Sequence, residues 1–189
     1  MNSHPPYDEY DVIVVGGGGS GLAAAVSTAQ QGKSVLLLER EPHLGGTTGM
    51  AVGSITANQT KQQTQASIVD SWQDHAIDAG QFAPHDIESK NNTLLRKTFL
   101  KETAHTLEWL TDMGLRFSGP HPEPPNRVAR MHNVIPGAQA YIRTLSKELK
   151  RFGGQCITQA NVRNLCHTHD LVSGLEYEHL GRISQVTAR

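Results

Sequence analysis

Cysteine is scarce in this chain. The two present, Cys156 and Cys166, form no C-x-x-C and cannot build a disulfide framework, so they read as reduced, buried thiols on neighbouring strands. Aromatic residues make up only 5% of the 189 residues and the formal net charge is −1, which removes the stacking platform and the basic footprint that nucleic-acid binding requires. No apolar run reaches the roughly 18 residues needed to cross a bilayer. The polar start Met1-Asn-Ser-His-Pro-Pro6 is not a signal peptide; residues 1–9 read as a disordered tail and a cytoplasmic location is expected. Histidine is plentiful, with ten copies, yet none are spaced as H-x-x-x-H, so no metal site is expected.

Glycine is what the chain has in abundance, and its placement is informative. Tyr10-Asp-Val-Ile-Val-Val15 reads as a short β-branched strand that stops at Gly16-x-Gly18-x-x-Gly21. Leu22 to Gln31 follows as a small-residue helix, Ser34 to Leu38 as a buried strand, and Glu39 closes that strand. Strand, turn, helix, strand and acid fall in the order of a dinucleotide-binding βαβ unit. In such a unit Gly18 lets the backbone approach a pyrophosphate, Gly21 lets the helix pack on the strand, and the helix N-terminus faces the phosphates. Glu39 can accept hydrogen bonds from ribose hydroxyls and repels a 2′-phosphate. The alternative is a glycine-rich turn in an ordinary α/β protein.

NAD and FAD both suit that unit. A second glycine signal, Leu44-Gly45-Gly46-Thr47-Thr48, shifts the balance to the larger cofactor, because a ribityl diphosphate needs backbone donors from two sides. Gly53 and Ser54 continue the small-residue path.

At this point the chain resembles the FAD-dependent oxidoreductases of the fumarate reductase/succinate dehydrogenase flavoprotein type, a group that includes 3-ketosteroid dehydrogenases. The resemblance is carried by Asp11-Val-Ile-Val-Val-Gly-Gly-Gly-Gly-Ser-Gly-Leu-Ala-Ala-Ala25, Val35-Leu-Leu-Leu-Glu-Arg40 and Gly45-Gly-Thr-Thr-Gly-Met50. Fainter similarity runs through Ile68–Ser71, Leu107–Gly114 and Pro136-Gly137. It implies non-covalent FAD, since His43 does not match the family's covalent anchor position. It also implies a pyrophosphate turn at Gly16, Gly18, Gly19, Ser20 and Gly21, with Glu39 on the adenosine ribose and Arg40 as the basic residue after it. Gly45, Gly46, Thr47 and Thr48 would touch diphosphate and ribityl, Val52, Gly53 and Ser54 would lie beside the flavin, and the Val162 backbone would meet the adenine edge. Ala51-Val52-Gly53-Ser54 departs from the usual Ser-Gly-Gly-Gly or Ala-Ala-Gly-Gly.

The expected fold is α/β: a Rossmann-like FAD-binding domain over residues 10–189, with inserted helices and a terminal β-meander. The family's members are much longer. The chain is therefore expected to be the incomplete, amino-terminal portion of a flavoprotein, without the substrate-capping domain and its catalytic residues. In the intact enzyme, the resemblance implies oxidation or reduction of a CH–CH or C=C bond activated by a carbonyl or carboxylate of a small-molecule substrate. An NAD-dependent Rossmann oxidoreductase and a non-catalytic nucleotide-binding remnant are the alternatives.

The remaining segments read more coarsely. Helical spacing appears in Thr60–Gly80. A helix over Thr93–Met113 is capped by Asn92, stopped by Gly114, and expected to turn Leu95, Phe99, Leu107, Leu110 and Met113 inward. Ser118–Pro136, with five prolines, reads as a long irregular loop. An amphipathic helix over Gly137–Arg151 rests on Ala140, Tyr141, Leu145 and Leu149. Arg127, Arg130 and His132 in the proline-rich loop read as a solvated basic loop, with a carboxylate clamp as the alternative.

Overall fold

Val35–Leu38 holds four apolar residues in succession, the pattern of a strand covered on both faces. In the computed structural model, which describes residues 9–189, this strand (β3) is buried at every position. Parallel neighbours flank it, β2 (Val12–Val15) on one side and β7 (Gln155–Ile157) on the other. The helix between β2 and β3, α1 (Gly19–Gln30), buries Leu22, Ala25, Val26 and Ala29. It packs on both strands and on α6 (Gln139–Arg151), whose buried face carries the expected Ala140, Tyr141, Leu145 and Leu149. These elements belong to one compact unit, made of the described residues up to Ala51 together with Ala138–Arg189.

The same unit contains a second sheet. Its strands are β1 (Glu9–Tyr10), β8 (Ala160–Thr168), β9 (Leu171–His179) and β10 (Arg182–Ala188), in the order β1-β10-β9-β8. The last three form the expected antiparallel meander. Tyr10, Leu36, Leu38, Ala160, Leu175, Tyr177 and Val186 build the core, drawn from both sheets.

The strand expected over Tyr10–Val15 is divided at Asp11. Its carboxylate accepts hydrogen bonds from the Ser34 N–H and hydroxyl, both at 2.8 Å. Tyr10 thereby pairs with Ala188 in one sheet while Val12 pairs with Val35 in the other. Of the expected tail, residues 1–8 lie outside the described residues, and Glu9 is in β1, paired with Thr187. The cysteines depart from expectation too. Cys156 in β7 is exposed and Cys166 in β8 is half-buried, in different sheets.

Val52–Gly137 forms the second unit. It has an antiparallel sheet, ordered β4-β6-β5, of β4 (Ser54–Thr56), β5 (Arg116–His121) and β6 (Met131–Ile135). The irregular loop expected over Ser118–Pro136 is strand at both ends, in β5 and β6, and irregular over residues 122–130. Cross-strand pairing of Phe117 with Val134 and Ser118 with Asn133 supplies the backbone partners that the proline-rich sequence does not advertise. Helices α2 (Lys61–Gln65), α3 (Trp72–Ala79), α4 (His85–Glu88) and α5 (Thr93–Asp112) complete it.

Asn92 caps α5 by accepting from the Leu95 N–H at 2.9 Å, and Gly114, at φ +96, follows its end. The buried face of α5 is Leu100, Thr103, Leu107 and Leu110, whereas Leu95 and Phe99 stay 65% and 62% exposed. Apolarity alone misplaces the stripe, because polar Thr103 is inside with its hydroxyl bonded to the Leu100 carbonyl at 3.2 Å.

A Cβ on Gly21 would stand 1.9 Å from the Gly16 carbonyl oxygen. Backbone cannot give way as a side chain can, so Gly21→Ala is expected to lower unfolding free energy by at least about 2 kcal/mol. Urea or thermal melts of the two chains check this, and an unchanged midpoint would show that α1 shifts freely on β2.

Candidate functional site

The carboxyl ends of β2 and β3 lie side by side and bring Gly16 to Glu39. The Gly16 N–H donates to the Leu38 carbonyl at 2.8 Å, and the Gly17 N–H donates to the Glu39 carboxylate at 2.5 Å. The other carboxylate oxygen accepts from the Glu41 N–H at 2.8 Å. Two backbone donors therefore orient Glu39 at the mouth of the turn.

The second glycine loop is stitched to the first. The Gly45 N–H donates to the Gly17 carbonyl at 2.9 Å, Gly18 and Gly45 form a parallel bridge, and the Gly19 N–H donates to the Thr48 hydroxyl at 3.2 Å. Gly45 itself sits at φ +133, which a side chain would strain. Thr47 leads into a short 3-10 turn, Thr48–Met50, and the Gln139 side-chain amide of α6 holds that turn by donating to the Gly49 carbonyl at 2.8 Å. Gln139 carries no motif, and sequence reading passed over it.

On the far side of Glu39 lies a cavity of about 250 Å³. Gly16, Glu39 and Arg40 line it together with Val162 and its neighbour Asn161 in β8. The Ala160 N–H donates to the Glu39 carbonyl at 2.8 Å, which ties the start of β8 to the end of β3. The Val162 side chain packs against the core, so the strand is fixed from behind. Four residues singled out from sequence thus share one wall. Val52, Gly53 and Ser54 fall in the second unit, with Val52 80% exposed, Gly53 buried and Ser54 opening β4.

The turn suits an extended diphosphate. Gly18 is the N-cap of α1, with no side-chain capping bond and no acid in the first turn. A Cβ on Gly18 would meet nothing nearer than the Gly45 carbonyl at 3.9 Å, so open space begins where the helix presents its N–H groups. That is an anion cradle made of backbone, which a side chain at position 18 would fill.

Of the expected solvated basic loop, only Arg127 is exposed, and it is paired with aspartates; Arg130 and His132 are buried, and neither arginine is left free as a clamp. Arg130 is fully buried between Asp70, which it grips with two nitrogens at 2.7 Å, and Asp78 at 2.5 Å. Arg127 donates to Asp78 at 2.5 Å and to Asp74 at 3.0 Å. His132, also buried, meets the Thr60 hydroxyl at 3.1 Å and the Arg130 carbonyl at 2.7 Å. The three aspartates are spaced four apart in the sequence, a signal that could have matched them to the arginines. Burial alone would raise the Asp70 and Asp78 carboxyls. Hydrogen bonds and charge from Arg130, with Gln63 at Asp70 and Arg127 at Asp78, outweigh it and hold both below the ordinary carboxylate range.

A parallel βαβ unit with a glycine turn, an acid at the second strand end and a meander beside it defines a dinucleotide-binding fold. Among such folds, the chain belongs to the FAD binding domain family, whose sequence profile matches residues 11–189. It is an FAD-binding domain of the fumarate reductase-like flavoproteins, and its cofactor is FAD.

An NADH:fumarate oxidoreductase of Klebsiella pneumoniae is 30% identical over 172 residues, 88% of this chain and 18% of that protein. The fumarate reductase (cytochrome) of Shewanella frigidimarina is 35% identical over 58% of this chain, again 18% of the relative. The chain therefore spans about a fifth of the length of these curated relatives. Among solved structures, the open conformation of a flavocytochrome c3 fumarate reductase superposes with TM-score 0.86 at 26% identity, covering 97% of this chain and 33% of that one. The 3-ketosteroid-delta4-(5alpha)-dehydrogenase of Rhodococcus jostii shares the fold at TM-score 0.81 and 22% identity, over 98% of this chain and 45% of that one. No helix among the described residues is long and apolar enough to cross a membrane.

Arg130→Met would leave buried Asp70 without its cation and Asp78 with Arg127 alone, and is expected to cost about 3–5 kcal/mol at neutral pH, read from urea unfolding. Asp70 and Asp78 have folded pKa values below their unfolded ones. Their contribution is present above the unfolded carboxylate pKa near 4 and lost as pH falls through the folded values. In the variant, burial without Arg130 raises these carboxyls, so the gap between the two chains should narrow as pH falls through the variant's raised values and on through the lowered wild-type ones. A gap that is constant from neutral to acid pH would show that the network contributes nothing through charge.

Proposed function

We propose that this chain grips FAD along the path from β8 to the second glycine loop. Glu39 takes the adenosine ribose hydroxyls, Arg40 flanks them, and the Val162 backbone borders the adenine. Gly16, Gly18, Gly19, Ser20 and Gly21 present the α1 N-terminus to the diphosphate from one side. Gly45, Gly46, Thr47 and Thr48 meet the diphosphate and ribityl from the other. Val52, Gly53 and Ser54 lie beside the isoalloxazine, where the bulk of Val52 departs from the small residues usual in this family.

The observation that carries this reading is the meeting of Gly16, Glu39, Arg40 and Val162 around one cavity, next to a helix N-terminus with open space before it. Glu39 is oriented by the Gly17 and Glu41 N–H groups before any ligand arrives, which lowers the ordering cost of binding. FAD when bound supplies hydride transfer, and the protein's part is to hold, orient and shield it.

For the whole protein we propose a flavin-dependent oxidoreductase acting on a CH–CH or C=C bond activated by a carbonyl or carboxylate. The relatives' names support this, being fumarate reductases and 3-ketosteroid dehydrogenases. Residues 10–189, on this reading, are its cofactor-holding part.

FAD titrated into the 189-residue chain, followed by flavin fluorescence and the visible spectrum, should saturate. Glu39→Ala should weaken it by about 1–3 kcal/mol, the cost of leaving a buried ribose hydroxyl unpaired. Gly18→Val should abolish binding without moving the melting temperature. A folded chain that ignores FAD, or takes NAD as tightly, overturns the assignment.

A further inference from the structure

The second unit contains a cavity that the FAD reading does not use. It has a volume of about 570 Å³, within the range of small-molecule sites. Ile55, Phe82, Phe99 and Leu100 give it apolar walls, and His75 and Thr103 supply polar lining. His75 is only 4% exposed and Thr103 only 2%.

Both polar residues are oriented from behind by buried Asn58. The Asn58 amide nitrogen lies 2.8 Å from the Leu100 carbonyl oxygen, 3.0 Å from His75 Nδ1 and 3.1 Å from the Thr103 hydroxyl. The Leu100 carbonyl can only accept, so the amide must present its NH2 group there; the flipped amide would set two acceptors against each other. An NH2 group beside Nδ1 in turn requires Nδ1 to be unprotonated. Burial, with the Arg130 charge, lowers the His75 pKa to about 4, so the ring is neutral near pH 7 and its proton sits on Nε2. Nε2–H is then a donor on a cavity wall with no acceptor from the described residues. Water or a ligand that enters the cavity can accept from it, and a ligand acceptor there would gain a directed hydrogen bond.

The charge on the walls narrows the ligand further. Both terminal nitrogens of Arg96 are taken by Glu88, at 2.6 and 2.7 Å. Glu123 is held by the Thr56 hydroxyl at 3.0 Å, and its carboxylate disfavours an anion. We propose that this cavity is a second small-molecule site, for a neutral, ring-sized apolar compound bearing a carbonyl that accepts the His75 Nε2–H hydrogen bond. The inference is independent of FAD binding by the other unit.

Fluorine NMR of para-fluoroacetophenone titrated into the full chain tests it, with para-fluoroethylbenzene as the probe lacking an acceptor and para-fluorobenzoate as the anionic one. The ketone should saturate and bind roughly tenfold tighter than the ethylbenzene, the effect of one hydrogen bond to the cavity-facing donor. The benzoate should bind more weakly than the ketone. His75→Phe should erase the ketone's advantage while leaving the ethylbenzene affinity unchanged. Thr106→Trp, an exposed lining position on α5, should block both probes without touching the core. Absence of saturation, equal binding of ketone and ethylbenzene, tighter binding of the benzoate, or indifference to Thr106→Trp would each overturn the proposal.

Discussion

The close approach of α1 to the end of β2 is the constraint on which the first unit depends. Gly21 lies so near the Gly16 carbonyl that no side chain can stand there. That contact sets where the helix begins and therefore where its unpaired N–H groups point. Everything around the turn is arranged to leave that end available. Gly18 offers no capping side chain, the Glu39 carboxylate is occupied by Gly17 and Glu41, and Thr48 takes only the Gly19 N–H. An anion site made of backbone needs no cation, which is consistent with the near-neutral composition of the chain.

The second unit is held by a different force. Its centre is an ion network rather than a purely apolar core, with Arg130 locked between two aspartates and Arg127 bridging to a third. Such a network adds little over an apolar core of equal volume, but losing one member is severe because the remaining charges stay buried. It also fixes geometry. α3 carries Asp74, His75 and Asp78 on one short stretch, so the residues that grip the arginines are rigidly coupled to the histidine on the cavity wall. The network's role as a strut explains why these arginines, although basic and clustered, are not free to bind a substrate carboxylate.

Sequence reading succeeded where the decisive interactions are local. The all-apolar β3, the glycine turn, the capped α5 and the amphipathic α6 each follow from periodicity and capping chemistry within a few residues. It failed where a distant partner decides. Asp11 breaks a six-residue strand because Ser34 is there to bond it. The prolines of residues 118–136 suggest a loop, yet β5 and β6 pair because each offers the other its backbone. Phe99 is more apolar than Thr103 and is nonetheless outside, since Asn58 and Leu100 satisfy the Thr103 hydroxyl.

By itself, then, the order of residues determined the class of cofactor, because a βαβ glycine turn, an acid closing the second strand and a second glycine loop are a linear code written over one short span. Only the tertiary structure decided which distant residues line the cavity beside Glu39 and which do not. Val162 comes to the wall beside Glu39 because β8 is anchored to the end of β3, while Arg130 is withdrawn from any site because Asp70 and Asp78 close around it. Local spacing records which backbone conformations are cheap. Which distant side chains will meet is set by packing and by the need to pair every buried charge, and no stretch of sequence states that alone.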